Sequence, residues 1–153
     1  MGVVCLCGVR VGLDGVAAVR ENQEVTFVGE SGTRRGTLTY TADVCSQDLE
    51  SSFVTITFDQ TSSETPDRSF TETSTSITSV TCNQEGVNCV ITVMGTMNVN
   101  GVTRTFTAVF RDNNNPNAMD DVQSFVITGF FSQQGASPVP GGSIVNQGCQ
   151  ETV

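Results

Sequence analysis

The sequence predicts an all-β protein, an antiparallel β-sandwich of Ig-like or jelly-roll-like kind with an extended N-terminal arm. Three observations predict it. The stretch Cys89 to Arg111, CVITVMGTMNVNGVTRTFTAVFR, reads as two alternating runs joined by Asn100-Gly101, a dipeptide suited to a tight turn because both central residues need positive φ. Alternating short runs recur along the chain, about nine or ten in all, with turn residues at close intervals. Helical periodicity is scarce.

The hairpin turn sets a register. Val99 faces Val102, Met97 faces Arg104, Gly95 faces Phe106, Val93 faces Ala108 and Ile91 faces Phe110. That face is apolar apart from Arg104, close to the turn, and Gly95 leaves room for the Phe106 ring. The opposite face pairs Asn98 with Thr103, Thr96 with Thr105, Met94 with Thr107 and Thr92 with Val109. One side is therefore meant for a core and the other for water.

The other elements follow in order. Residues 1–13 alternate with Val3, Cys5, Cys7, Val9, Val11 and Leu13 on one face. They form either the first strand of the sheet or an arm that pairs with a neighbouring subunit, with Val3, Val9, Val11 and Leu13 as its apolar interface. The division is an arm over 1–15 and a single β domain over 16–153. Residues 14–22 read as a short turn or helix. Strands are expected at 24–28, 37–42 and 53–58, the second with Leu38, Tyr40 and Ala42 alternating against threonines. The polar run 60–68 contains Pro66 and reads as a loop. Residues 69–82, rich in Ser and Thr, read as one or two edge-like strands, and 82–89 as a hairpin loop with a cysteine at each end. After the central hairpin come the polar loop 112–121, a strand over 122–131, a Pro- and Gly-rich segment over 133–142, and a short last strand at 143–145.

Composition removes several function classes. Net charge is −9, and the seven cationic side chains are all arginine. Duplex nucleic acid and anionic membrane surfaces need a cationic face, so neither is an expected partner. Histidine, lysine and tryptophan are absent. The commonest general base and the usual nitrogen ligand of zinc are therefore missing, and no side chain activates the many Ser and Thr hydroxyls. A carboxylate-pair glycosidase lacks a stacking platform, because Tyr40 stands alone among tyrosines and tryptophans. The expectation is a non-enzyme without cofactor. No apolar run has the length of a membrane-spanning helix, so membrane insertion is not expected. The N-terminus lacks the basic and apolar regions of a secretory signal.

Two constellations remain. The loop 112–121 offers Asp112, Asn114, Asp120 and Asp121 as oxygen ligands for calcium. Pro116 and Asn117 stand where the EF-hand spacing needs other residues, however, and a solvated Asx-rich turn without metal is the plainer reading. The six cysteines show no metal-ligand spacing and point to disulfides in an oxidising compartment. Cys82 and Cys89 flank a hairpin loop and read as a local pair. Cys5 and Cys7 lie on one strand face with Cα atoms about 7 Å apart, unsuited to bridging each other. With Cys45 and Cys149 they are candidates for bonds that lock the arm, either within the chain or into a neighbour.

The run TSTSITSV…VMGTMNVNGVTRTFTAVFRDNNNPNAMDDVQSFVITG…GGSIVNQ, preceded by the Gly-x-Leu-x-Tyr strand Gly36-Thr-Leu38-Thr-Tyr40, resembles the post-COAP-1 domain. That β-rich module belongs to bacterial surface and secreted proteins carrying a choice-of-anchor-P type region. The likeness spans roughly Gly29 to Gln147 and departs in the Asn-rich loop and the added cysteines. It implies an extracellular β-module and brings no catalytic residues. The arm, with its closely spaced cysteines, is similar to the N-terminal connector of bacterial endospore appendage subunits, which is disulfide-linked to other subunits. The Cys5-x-Cys7 spacing departs from the adjacent pair usual there.

The sequence expectation is thus a structural subunit of an extracellular fibre, pilus-like or spore-appendage-like, at a cell or spore surface. Its arm adds as a strand to the next copy, inter-subunit disulfides hold it, and an anchor protein at the surface is a further possible partner. The alternative is a monomeric secreted or cell-surface adhesion or ligand-binding module whose disulfides are internal.

Overall fold

The computed structural model describes residues 5–113 and 118–147, and all of its secondary structure apart from one short 3-10 turn is strand. The strands are β1 (Gly8–Val11), β2 (Ala18–Phe27), β3 (Arg34–Cys45), β4 (Phe53–Gln60), β5 (Phe70–Glu85), β6 (Asn88–Val99), β7 (Val102–Asp112), β8 (Asp120–Ile127), β9 (Phe131–Gln133), β10 (Ser137–Val139) and β11 (Ile144–Gln147). The 3-10 turn, Leu49–Ser51, precedes β4. Every ladder is antiparallel.

The expected two-sheet sandwich is not the architecture. One sheet runs β3-β2-β9-β8-β7-β6-β5-β4 and closes where β4 pairs back onto β3, giving a barrel of eight strands. Closure rests on two strands, β3 and β8, that each serve two neighbours along one edge. β3 pairs with β2 through residues 34–40 and with β1 through 42–45, while its other edge holds β4. β8 pairs with β9 at Val126–Ile127 and with β10 at Asp120–Val122. Alternating strands in a barrel and in a sandwich carry the same inside-outside pattern, and only the partner of the last edge separates them.

The central hairpin has the expected register, from Val99↔Val102 through Ile91↔Phe110. Asn100 and Gly101 both take positive φ, 53° and 83°. Gly95 is required where it stands: a Cβ there would overlap the Ser76 carbonyl oxygen and the Phe106 ring. Arg104 reaches the barrel rim, where its Nη1 donates to the Thr128 carbonyl at 3.4 Å.

The lumen is filled with side chains. Phe27, Phe58, Phe70, Phe130 and Phe131 pack together at one end, with centroid separations from 5.1 to 6.2 Å. Phe106 stacks on Phe125 deeper in, at 5.9 Å. The fully buried rings among them, Phe58, Phe106, Phe125 and Phe131, each contribute about 1.5–3 kcal/mol relative to exposure. The outer face carries cross-strand hydroxyl pairs, Thr55 with Thr73 at 2.9 Å and Thr57 with Thr71 at 3.1 Å.

Several local expectations change. Residues 18–22 are strand, neither turn nor helix, and the Pro-containing segment yields β10. The Ser/Thr-rich run forms a single strand of 16 residues, β5, which turns from β4 to β6 with β-bulges near Ser74–Ser76 and Ile77–Ser79. The N-terminal segment is not an extended arm from Gly8 onward, because β1 lies between β3 and β11.

Candidate functional site

The N-terminal segment is sewn to its own barrel. Cys5 is bonded to Cys45, with Cα atoms 5.5 Å apart, and Cys7 to Cys82, with Cα atoms 5.7 Å apart. The backbone supports both. Leu6 N–H donates to Gln47 Oε1 at 2.7 Å, and Ser46 N–H donates to the Cys7 carbonyl at 2.8 Å. A side chain at Gly8 would overlap Val44 O, so glycine lets β1 lie close to β3. Val9 and Val11 are fully buried in the chain's own core, whereas Leu13 is partly exposed. Val3 lies outside the described residues, as do Cys149 and Asn114.

The expected Cys82–Cys89 pair does not form. Register explains why: Cys82 stands opposite Ile91, and Cys89 opposite Gln84. The turn at Gly86-Val87 is tighter than the expected loop, so the two cysteines miss each other by two residues along the strand. That diagonal separation, roughly 7 Å, exceeds what a disulfide spans. Cys89 is fully buried and is disulfide-bonded, but not to Cys82.

The acidic residues proposed for calcium have another use. Asp120 is fully buried and its Oδ1 accepts Asn113 N–H at 2.8 Å. Its Oδ2 accepts Gly142 N–H and Ile144 N–H, each at 3.0 Å. Asp112 Oδ2 accepts the Asn146 backbone N–H at 2.8 Å and its side-chain amide at 2.7 Å. No ladder joins β11 to β7 or β8, so these carboxylates bridge the seam. Burial pushes the Asp120 carboxyl above its usual range, and the nearby charge of Asp112 adds to this. Asp121 faces Arg111 at 3.7 Å. Among the described residues no three potential metal ligands converge.

The segment expected as a loop over 60–68 meets the connection between β2 and β3 at a barrel mouth. Arg34, nearly buried, donates from Nε to Glu30 Oε1 at 2.8 Å, and from Nη1 to Gln60 Oε1 at 3.0 Å and the Pro66 carbonyl at 2.6 Å. Arg68 donates from Nε to Glu30 Oε2 at 2.7 Å and lies 5.8 Å above the Phe27 ring. Arg34 first, then Arg68, holds the Glu30 carboxyl below its usual range. A cleft of about 360 Å³ opens beside this cluster between Gly29–Thr33 and Glu64. No motif marks the cluster, because its two halves, Glu30 with Arg34 and Gln60 with Pro66 and Arg68, are joined by contacts that span 26 to 38 positions and form only when the barrel closes.

Tyr40 is buried, and its hydroxyl donates to Gln133 Oε1 at 2.6 Å. It is therefore part of the core and presents no surface for a sugar. A second opening, of about 550 Å³, lies between β2 at Val19–Asn22 and a wall made by Met119, Pro138 and Pro140. The sequence signal for it was Pro at alternate positions, 138 within a short strand and 140 just after it, which marks an edge unable to donate.

Among the described residues no helix is long and apolar enough to cross a membrane. In comparisons with known proteins the chain matches no family model, no curated protein and no solved structure.

Proposed function

We propose that this chain is a self-contained β-barrel module that works outside the cell, as a monomeric adhesion or ligand-binding unit with internal disulfides. The observation that carries the reading is the pair Cys5–Cys45 and Cys7–Cys82, which attaches the N-terminal segment to the barrel of the same chain. Disulfides of this kind persist in oxidising surroundings, and the resemblance of Gly29–Gln147 to a bacterial surface module agrees with that location. An enzymatic role gains no support from a lumen filled by aromatic rings.

The fibre subunit is the competing reading. It asks β1 to pair with another copy, whereas Gly8–Val11 has a partner on both edges within the chain and buries Val9 and Val11 there. Donation would first have to withdraw that strand. Gel electrophoresis of the boiled protein with and without reductant separates the readings. The monomeric module gives a single monomer band in both lanes. A ladder of multimers that collapses on reduction would overturn it in favour of the fibre.

A further inference from the structure

The cleft between β2 and β10 holds an arginine with nothing to bind. Of the seven arginines, Arg10, Arg34, Arg35, Arg68 and Arg111 each meet an Asp or Glu, and Arg104 donates to a carbonyl. Among the described residues Arg20 meets no hydrogen-bond or ion-pair partner; its Nε is buried without one, as are those of Arg104 and Arg111, but these two are engaged through Nη1. In a chain with 16 acidic residues an unpaired guanidinium is out of keeping, since withholding an acceptor from a buried donor costs stability.

The surroundings of Arg20 define what it would take. Beyond Arg20 the β2 strand is bulged before Gln23, and Asn22 takes positive φ. The second edge of β2 is covered by β9 only at Val25–Phe27, so among the described residues Ala18–Asn22 has no ladder partner there. β10 lies alongside, but Pro138 and Pro140 have no N–H to offer, and the barrel wall stays open. Met119, Pro138, Pro140 and Val19 make the cleft partly apolar, and Glu21 lines its rim. With a net charge of −9 around it, the rim carboxylate repels a dianion more than a monoanion.

We propose that this cleft is a binding site for a single carboxylate on an aliphatic peptide end. The carboxylate meets the Arg20 guanidinium, the aliphatic side chain lies against Met119 and the prolines, and the peptide group pairs with the open edge of β2. This deepens the binding-module reading by naming the class of ligand.

The test uses N-acetyl-leucine as the probe, titrated into the oxidised full chain while the Arg20 Nε–H signal is followed in proton–nitrogen correlation spectra. The expected result is a saturable shift with a Kd of about 1 mM or tighter. Isovalerate, which lacks the peptide group, binds more weakly, and N-acetyl-leucinamide and inorganic phosphate leave the signal in place. Arg20→Met lowers affinity at least about tenfold, while the melting temperature stays level or rises. The assignment is overturned if the Arg20 signal does not move, or if the amide, isovalerate or phosphate binds as well as the acid. It is equally overturned if Arg20→Met unfolds the chain, which would make Arg20 a structural residue. Failure here leaves the gel result on monomer against fibre untouched.

Discussion

Asp120 Oδ2 accepts the N–H of Ile144 at 3.0 Å across a stretch of barrel wall where no ladder joins β8 to β11. A side chain stands in for a missing backbone partner. The same carboxylate also holds Gly142 and Asn113, so one residue fixes the last strand and the loop after β7 together. Replacing it with alanine leaves three backbone donors without an acceptor. Asp120→Ala is expected to destabilise the fold by about 3 kcal/mol, and Asp120→Asn by about 1–2 kcal/mol, since the amide keeps one acceptor. Urea unfolding at neutral pH measures both.

Asp120 and Glu30 are expected to respond to pH with opposite sign. Burial raises the Asp120 pKa above 3.8, so the folded state binds this proton more tightly than the unfolded chain. Its contribution to stability is complete below 3.8 and is lost as pH rises through the folded value. Arg34 and Arg68 lower the Glu30 pKa below 4.5. Its contribution is complete above 4.5 and is lost as pH falls through the folded value. Carbon-detected NMR titration of the two carboxyls checks the directions. Asp112→Asn should bring Asp120 down, and Arg68→Gln should bring Glu30 up.

The two described disulfides close loops with sequence separations of 40 and 75. Loop-closure entropy makes each worth about 4 kcal/mol, the longer slightly more. Removing Cys7 and Cys82 together as serines should lower unfolding free energy by about that amount and increase amide exchange in β1. Unchanged exchange across Gly8–Val11 would show that the bond does not hold the strand in place.

Gly95→Ala tests close packing, since a Cβ would meet the Ser76 carbonyl and the Phe106 ring. The expected cost is about 1–3 kcal/mol from overpacking. Gly101→Ala meets open space but keeps a φ of 83°, and the expected cost is about 1–2 kcal/mol from backbone conformation alone. Thermal melts separate the two mechanisms when Gly101→Asn is added, because asparagine tolerates the left-handed region and restores most of the loss.

The hairpin was legible because its information is local. Asn100-Gly101 admits one kind of turn, and a two-residue loop then dictates every pair back to Ile91 and Phe110. The alternation of Leu38, Tyr40 and Ala42 was legible for the same reason, since a period of two assigns a face without reference to any partner. Cysteine pairing was not. Cys82 and Cys89 are close in sequence and on neighbouring strands, yet an offset of two residues separates them, while Cys7 reaches Cys82 from 75 positions away. Asp112 and Asp120 looked like cation ligands because a carboxylate in an Asn-rich loop shows its charge in the sequence but not the amides it will face.

The sequence by itself determined an all-β chain, the inward and outward faces of its strands, the central turn and the presence of disulfides. These follow from backbone sterics and from side-chain alternation, which act over a few residues. Tertiary structure alone decided that the sheet closes at β3–β4, that Gly8–Val11 pairs within the chain's own sheet, which cysteines meet, and that Arg20 is left without a partner among the described residues. Those outcomes depend on which strand edges come together, and edge pairing is settled by the geometry of closing one twisted sheet upon itself.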